Sequence, residues 1–247
     1  MMTPVWRILF FPLTFVRFIL IILVTLFFLI TVQIEDKIAL KTGRFNFWTS
    51  RNWGRTVLII LGFKLNKNSI IFPDQYILMP NHRSYIDIFL MAACSPSVFV
   101  AKAEIRRWPL IGQAVKASRM ILVKRDDMKS LLGTMTKIKN SINNNIPVTV
   151  FPEGTTCKGP GLKPFKNGTF KIAAELNIPI IPCAIEYPDR NNTWVGTDSF
   201  VGHFFRQMWK PVSNVNIRFG TPIVENNFSV LKNKTQQSIE AMLAEIK

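Results

Sequence analysis

Cysteine is scarce in this chain, and its placement argues against folds that depend on it. The 247 residues include three cysteines, Cys94, Cys157 and Cys183, which are widely spaced and form no Cys-x-x-Cys pair. A disulfide framework needs paired cysteines, and a structural zinc site needs closely spaced ones. We therefore expect neither, and a reduced cytosolic environment is favoured.

Histidine is scarcer still, with His82 and His203 as its two occurrences. A reaction that needs a general base near neutral pH therefore has few candidates. The sequence contains no Gly-x-Ser-x-Gly pattern, which marks a serine nucleophile, and no cysteine lies near a histidine along the chain. These absences disfavour covalent catalysis by a serine or a cysteine.

Acidic residues are also few, 15 against 31 lysines and arginines, and the net charge is +16. Such a balance suits anionic partners, namely nucleic acid, acidic lipid headgroups or phosphorylated substrates. The alternative is general solubility combined with a compositional bias toward lysine and asparagine. Because the basic residues are dispersed and the N-terminus is apolar, we expect no nucleic-acid partner.

Charge is almost missing from the segment Ile8–Ile34, in which Arg17 is the single charged residue. A helix without a polar face must be buried in protein or in lipid, and crossing a bilayer takes about 20 apolar residues. The segment is predicted either to cross a membrane or to enter one leaflet. A cleaved signal peptide is disfavoured, because the apolar run is too long and no small-x-small cleavage site follows it.

A second segment, Phe45–Phe63, mixes aromatic, basic and apolar residues. This mixture is typical of a helix at a membrane interface, with an ordinary core helix as the alternative. Positive charge after the first segment predicts that the bulk of the chain lies on the cytoplasmic face of the inner membrane. The residues that carry this charge are Lys37, Lys41, Arg44, Arg51 and Arg55.

Beyond Asn66, short apolar runs typical of strands alternate with segments of helical periodicity. The predicted strands are Tyr76–Met79, Val98–Ala101, Met120–Val123, Val148–Phe151, Ile178–Ile185 and Val215–Phe219. The predicted helices are Ser84–Ala93, Pro109–Ala117, Asp126–Asn144, Gly168–Leu176, Asp198–Met208 and Thr235–Ile246. The alternation predicts an α/β fold, a mixed or parallel sheet flanked by helices, preceded by an N-terminal membrane-attaching helical segment.

His82 follows a predicted strand and precedes a predicted helix, a position where α/β proteins place functional side chains. Asp87 lies five residues later, and side chains at that spacing within one helix point about 140° apart. We therefore expect His82 before the helix and Asp87 in its first turn, reaching back to the imidazole. Ser84-x-x-Asp87 also resembles a capping box, which is compatible with that contact. His203 has no acid at comparable spacing and is expected to be structural or interfacial.

A second motif, Phe151-Pro152-Glu153-Gly154-Thr155-Thr156, follows another predicted strand. Gly154 permits unusual backbone torsions or the close approach of a ligand. Glu153, beside the hydroxyls of Thr155 and Thr156, is a candidate to hold a polyol or a phosphate-bearing headgroup. The alternative is a plain β-turn.

Together these motifs resemble those of the glycerolipid acyltransferase family, specifically the 1-acylglycerol-3-phosphate (lysophosphatidic acid) acyltransferases. The resemblance extends over roughly Tyr76 to Pro222. Four family motifs have counterparts here: Asn81-His82-x4-Asp87, Met120–Arg125, Phe151–Thr156 and Ile180–Pro182. In this interpretation residues 1–64 form membrane-attachment helices and residues 65–247 form the catalytic domain.

The resemblance implies that His82 is the catalytic base and that Asp87 orients it. It assigns substrate binding to a group of residues: Asn81, Lys102, Arg125, Glu153, Gly154, Thr155, Thr156 and Lys166. Lys124 stands where an acid usually precedes the arginine, and Thr156 stands where arginine often follows Glu-Gly-Thr. Recognition of a phosphate is therefore expected to rest on Lys102, Arg125, Lys158 or Lys166.

The implied reaction moves a fatty-acyl group from acyl-CoA or acyl carrier protein to the free hydroxyl of 1-acylglycerol-3-phosphate, giving phosphatidic acid in phospholipid biosynthesis. The hydroxyl attacks the thioester directly, so no cofactor, metal or protein nucleophile is expected. The expected partners are a lysophospholipid, the acyl donor and membrane lipids. Two alternatives stay open: another acceptor, such as a lyso-aminolipid, or a non-catalytic basic membrane adaptor with the same fold.

Overall fold

The computed structural model describes residues 11–42, 47–107, 111–124, 126–196 and 198–246. The α-helices in these ranges are α1 (Phe11–Thr42), α2 (Trp48–Ile60), α3 (Ile86–Cys94), α4 (Ile111–Ala117), α5 (Met128–Asn143), α6 (Gly168–Leu176), α7 (Phe200–Trp209) and α8 (Phe228–Glu245). Two short 3-10 helices, Ala103–Arg107 and Arg190–Asn192, follow the third and sixth strands.

Seven strands form one sheet within the described ranges. They are β1 (Phe63–Lys67), β2 (Ile77–Pro80), β3 (Val98–Lys102), β4 (Ile121–Val123), β5 (Val148–Thr149), β6 (Ile180–Glu186) and β7 (Ser213–Phe219). Their order across the sheet is β1-β7-β6-β2-β5-β3-β4, and every neighbouring pair is parallel except β6 with β7. The predicted α/β class with a mixed sheet is confirmed.

The central strands are covered on both faces, which explains why β2 and β6 are entirely buried. Alternate side chains along β2 enter two different cores: Leu78 packs toward α2 and α3, whereas Ile77 and Met79 pack toward α5, α6 and α8. The fold is therefore a three-layer arrangement of helices, sheet and helices. In this three-layer fold, the loops that follow the parallel strands lie at the edge of the sheet and can hold functional side chains.

Most predicted elements are present with ends shifted by one or two residues, and two differ more from the sequence-based expectation. Strand β1 was not predicted, because its sequence Phe-Lys-Leu-Asn-Lys is mostly polar; as an edge strand it buries only Phe63. Helix α8 begins at Phe228 rather than Thr235, since the side chain of Asn227 accepts hydrogen bonds from the backbone N–H groups of Ser229 and Val230 and so caps it.

Helix α1 packs one face against the body of the molecule. The guanidinium of Arg17 donates to the carbonyls of Met208, Lys210 and Pro211, where α7 ends. Further along the helix, Phe28 stacks on Trp53 of α2 with ring centroids 4.7 Å apart. The single charge in the apolar segment is thus buried and satisfied by the last carbonyls of a neighbouring helix.

The opposite face of α1 is an apolar stripe at helical spacing, here called the α1 stripe. Its exposed members are Phe15, Val16, Ile19, Leu20, Leu23, Leu26, Phe27, Ile30, Ile34 and Ile38. By length and composition the helix is sufficient to cross a membrane. Residues 8–10 and 45–46, which belong to the two predicted membrane segments, lie outside the described residues, and the division of the chain at residue 64 stays a prediction.

The second predicted membrane segment forms α2, which packs closely against α3. Gly54 makes this approach possible, since a Cβ there would stand 2.9 Å from the carbonyl oxygen of Phe89. The body and the two N-terminal helices are therefore joined by close side-chain packing.

Candidate active site

Three adjacent strand ends bring the two sequence motifs together. Strand β2 lies between β6 and β5, and all three run parallel, so their carboxyl ends meet at one edge with about 4.8 Å between neighbours. His82 follows β2, Glu153 follows β5, and Tyr187 follows β6. Ligands of open α/β sheets bind at this kind of edge.

His82 and Asp87 make the contact that their spacing predicts. Nδ1 of His82 lies 2.8 Å from Oδ2 of Asp87, with His82 before α3 and Asp87 in its first turn. The same oxygen accepts hydrogen bonds from the backbone N–H groups of Arg83 (2.6 Å) and Ser84 (2.9 Å). One carboxylate oxygen thus caps the start of the helix and holds the imidazole, as the capping-box pattern allows.

The surroundings of His82 favour one protonation pattern. The carboxylate of Asp87 is fully buried and accepts hydrogen bonds from the backbone N–H groups of Arg83 and Ser84. An ionised carboxylate can only accept, so the proton on the neutral imidazole belongs on Nδ1 and Nε2 carries the lone pair. The ring is stacked on Phe151 at 4.0 Å between centroids, and 14% of the side chain is exposed. The imidazole is therefore fixed in orientation and still reachable from solvent.

Glu153 joins the loop after β2 to the loop after β5. Its Oε1 accepts from the backbone N–H of His82 at 2.8 Å, and its Oε2 accepts from that of Lys163 at 2.7 Å. Burial raises the pKa of this carboxyl, and the two backbone hydrogen bonds oppose the rise. Glu153 thus supports the histidine directly, a contact that the sequence did not indicate, and its contact with an acceptor stays a prediction.

The rest of the second motif forms the rim of the site. Gly154 adopts a φ of +69°, a conformation that favours glycine, and the side chain of Lys166 passes over it. Thr155 is exposed and Thr156 is half-buried. The ammonium of Lys163 donates to the carbonyl of Thr156 at 2.8 Å. Lysine side chains therefore border this turn.

Asn81 occupies a position different from the one expected of a substrate-binding residue. It is fully buried, its Nδ2 donates to the carbonyl of Ile185, and its Oδ1 accepts from the N–H of Ile185 at 2.7 Å. The amide side chain therefore continues the pairing of β2 with β6 beyond Pro80. This bond fixes the position from which His82 projects.

Of the other predicted binding residues, Lys102 ends β3, at the same sheet edge as His82 but two strands away. Its ammonium is half exposed and lies 3.7 Å from Glu104. Lys158 is exposed in the loop after the second motif. Arg125 lies outside the described residues, just beyond the end of β4. The structure thus brings His82, Asp87 and Glu153 together, with Lys102 two strands away at the same sheet edge and Lys158 in the loop after the second motif.

Arg83 is a part of the site that sequence reasoning missed. Its guanidinium is fully buried and donates to the carbonyls of Cys157, Pro160 and Gly161, and it pairs with Glu186 at 3.1 Å. It therefore ties the loop after Glu153 to the end of β6. All these partners lie at least 74 residues away in sequence, so local pattern gave no signal for them.

His203 has a structural environment, in line with the expectation. It is buried on α7, its Nδ1 lies 3.0 Å from the hydroxyl of Tyr85, and its Nε2 lies 3.4 Å from the amide of Gln207. Burial lowers its pKa to about 4, so this imidazole is neutral at physiological pH. It packs in an aromatic group whose other members are Tyr85, Trp194, Phe200 and Phe204.

Comparison with known proteins agrees with this geometry. The family model described as "Acyltransferase" matches residues 65–186, the part of the chain that contains β2, β5, β6 and both motifs. The chain belongs to the acyltransferase family. It is therefore an enzyme of acyl transfer, whose relatives act on lysolipid acceptors.

Two curated relatives illustrate the range of acceptors among similar acyltransferases. The 1-acyl-sn-glycerol-3-phosphate acyltransferase of Neisseria meningitidis is 27% identical over 203 residues, covering 78% of this chain and 79% of the relative. The lyso-ornithine lipid O-acyltransferase of Pseudomonas aeruginosa is 26% identical over 201 residues, covering 78% of each protein.

A solved structure shares the fold of this acyltransferase. The 1-acyl-sn-glycerophosphate (LPA) acyltransferase of Thermotoga maritima superimposes with a TM-score of 0.64 at 18% identity, covering 93% of this chain and 97% of that one. The α/β architecture is thus shared over nearly the whole of both chains.

Proposed function

We propose that this acyltransferase transfers a fatty-acyl group from acyl-CoA or acyl-ACP to the free hydroxyl of 1-acylglycerol-3-phosphate, giving phosphatidic acid. The observation that carries the proposal is the 2.8 Å contact between His82 and the buried carboxylate of Asp87, at a sheet edge bordered by lysines. The contact provides a general base, and the lysines at the same edge are available to bind an anionic group.

In the proposed step, Nε2 of His82 takes the proton from the acceptor hydroxyl while the hydroxyl oxygen attacks the thioester carbonyl carbon. The C–S bond then breaks, and the imidazolium returns its proton to the leaving thiolate. Asp87 holds the tautomer and stabilises the imidazolium that forms. The step uses the histidine, the carboxylate and the thioester, so we expect no resident cofactor or metal.

The acceptor's phosphate is assigned to the cations at this edge. Lys102 lies two strands from His82, about 10 Å along the sheet edge, a distance that a glycerol phosphate and a lysine side chain span together. Lys166 passes over Gly154, and Lys158 lies in the following loop. Arg125 follows β4 in sequence. We expect the phosphate to be held by several of these cations rather than by one.

A second acceptor class, a lyso-aminolipid, is favoured by one observation. Thr156 stands where the resemblance to the family implies an arginine, and a similar protein is a lyso-ornithine lipid O-acyltransferase. An acceptor without a phosphate needs less positive charge at this position. The two classes are separated by the acceptor alone, because the base and the donor are the same.

The test uses purified enzyme in detergent with acyl-CoA and acyl-ACP as donors and a panel of lysolipids as acceptors. We expect the highest kcat/KM with 1-acylglycerol-3-phosphate; preference for lyso-ornithine lipid would establish the second class. His82→Ala should lower turnover by about 1,000-fold or more, the scale of a lost general base with its orienting partner. His203→Ala is the matched control and should remain active. Full turnover by His82→Ala would exclude His82 as the general base.

For the membrane, we propose that α1 lies in one leaflet of the inner membrane, with the body on the cytoplasmic side. Arg17 makes polar contacts with the end of α7, and Thr25 and Glu35 accept hydrogen bonds from Trp53 and Thr49 of α2. A crossing helix would carry these partners into hydrocarbon, where polar groups are costly. The α1 stripe on the opposite face suits burial in a single leaflet.

Thiol labelling of cells tests this orientation. Pro12→Cys and Lys37→Cys, each in a variant without native cysteine, place an exposed thiol near either end of α1 at a residue that is not part of the α1 stripe. Reaction of both with a membrane-impermeant maleimide in inverted vesicles, and of neither in intact spheroplasts, is the expected result. Labelling of the two ends from opposite sides would mean that the helix crosses the bilayer.

A further inference from the structure

The second carboxylate oxygen of Asp87 has a partner of its own. While Oδ2 faces His82 and two backbone N–H groups, Oδ1 accepts a hydrogen bond of 2.6 Å from the hydroxyl of Tyr187. Tyr187 follows the last residue of β6 and is fully buried. The three side chains form a continuous line from a buried phenol, through the carboxylate, to the exposed edge of the imidazole.

Tyr187 is the donor in this contact. Burial raises the pKa of its phenol well above the ordinary value, and the negative charge of Asp87 raises it further. The hydroxyl therefore stays protonated throughout the pH range of activity. A protonated phenol bound to an ionised carboxylate is a short, charge-assisted hydrogen bond, which agrees with the observed distance.

We propose that Tyr187 is a positioning residue for catalysis, whose hydroxyl fixes the rotation of the Asp87 carboxylate and sets how strongly it holds the imidazole of His82. The inference rests on the proposed role of His82 as base. Without the phenol, Oδ1 is a buried acceptor without a donor, and the carboxylate gains freedom to turn away from the ring. Its negative charge is also less delocalised, so the pair with His82 binds a proton more strongly.

The charges around this line do not replace the phenol. The guanidinium of Arg83 is directed to Glu186 and to the loop carbonyls, and Glu153 is bonded to the backbone of His82 and Lys163. Burial raises the pKa of the Cys183 thiol, which is therefore neutral. The titratable groups that face Asp87 and Tyr187 from the packed elements are His82, Arg83, Tyr85, Cys183 and Glu186.

The first experiment compares Tyr187→Phe with Tyr76→Phe. Tyr76 is the matched control, a buried tyrosine whose hydroxyl bonds Ser95 at 2.9 Å near the opposite end of β2. We expect Tyr187→Phe to lower kcat about tenfold at nearly unchanged KM, the scale of one lost hydrogen bond to a charged group. The acid limb of the kcat/KM profile should move up by about half to one pH unit. Tyr76→Phe should leave both unchanged.

The acid limb of the kcat/KM profile moves to higher pH in Tyr187→Phe because of which state of the active site must be unprotonated. Activity requires the unprotonated His82–Asp87 pair, and loss of the phenol raises the proton affinity of that pair, wherever the proton resides. The acid limb of the variant must therefore lie at higher pH. A purely structural role would lower activity evenly without moving the profile.

The second experiment keeps the hydroxyl and changes its acidity. 3-Fluorotyrosine at position 187 retains the hydrogen bond with a more acidic phenol, so the acid limb should move to lower pH, opposite to the phenylalanine variant. The fluorotyrosine-containing enzyme tests the positioning role of Tyr187 even if Tyr187→Phe does not fold.

An unmoved acid limb in the fluorotyrosine protein, or a Tyr187→Phe enzyme with wild-type kcat and pH profile, would overturn the proposal. Both results are separate from a failure of the proposed function, which appears as full activity of His82→Ala.

Discussion

The two histidines of this chain occupy contrasting environments within one domain. His82 projects from a strand end, bonds a carboxylate, stacks on Phe151 and keeps one edge exposed. His203 lies buried on a helix, bonds the neutral hydroxyl of Tyr85 and packs edge-on against its ring. One imidazole thus contacts a carboxylate, and the other contacts a phenol.

The contrast shows that the partner, and not the residue type, decides the chemistry. A carboxylate stabilises the imidazolium that forms when the ring takes a proton. A buried site without an anion in contact penalises that charge, and the pKa of His203 is accordingly lowered to about 4. One ring is prepared to accept a proton, and the other is kept neutral.

The largest expected effect comes from exchanging the partner of each histidine. Asp87→Asn should lower kcat by about 1,000-fold or more, because the amide can donate to Nδ1 and so favour the tautomer with a protonated Nε2. Tyr85→Phe, which removes the partner of His203, should stay within about threefold of wild type, since no step uses that hydroxyl. Initial rates with both donors measure the difference. Equal losses of kcat in Asp87→Asn and Tyr85→Phe would contradict the different roles assigned to His82 and His203.

The next effect is on stability as a function of pH. The folded protein resists protonation of His203 down to a pKa of about 4, whereas the unfolded chain binds that proton near pH 6.5. Because the unfolded state binds more protons between these values, the free energy of unfolding should fall as the pH falls from 6.5 to 4. The loss attributable to this group is about 3 kcal/mol.

Chemical unfolding at several pH values checks this prediction. His203→Gln should remove this part of the slope while leaving activity at pH 7.5 nearly unchanged. A variant that keeps the full wild-type slope would mean that His203 is protonated in the folded protein.

The smallest effect concerns the ring stacked on His82. Phe151→Leu keeps an apolar side chain but removes the stacked face, and we expect kcat to fall about fivefold, the scale of an aromatic contact. Phe170→Leu is the control, since Phe170 is buried on α6 behind the sheet. It should lower the melting temperature and leave kcat nearly unchanged. A loss of activity in the control that equals the loss in Phe151→Leu would show a general packing effect.

Sequence alone was sufficient where function depends on local spacing. The five-residue step from His82 to Asp87 predicts a histidine before a helix and an acid in its first turn, and the structure has that contact. The alternation of strands and helices predicts the fold class. The edge strand β1 escaped prediction, because its stability comes from pairing with β7 rather than from its own composition.

The supporting residues of the site were beyond the reach of sequence reasoning. Tyr187 meets Asp87 across 100 residues, and Arg83 meets Glu186 across 103. These pairs form only because β6 lies beside β2 in the sheet, which no local pattern encodes. Asn81 is similar: its amide resembles a substrate ligand in the motif, yet it bonds the backbone of Ile185.

The attachment of Arg17 to the end of α7 has a geometric consequence for catalysis. Arg17 is bonded to the end of α7 and Glu35 to α2, and 18 residues of helix separate them by about 27 Å. Because α1 is bonded near both ends, it can neither tilt nor slide relative to the rest of the protein. In the proposed orientation, with α1 in one leaflet, the imidazole of His82 would stay at a constant height and tilt over the headgroups, and each lysolipid would meet it at the same depth.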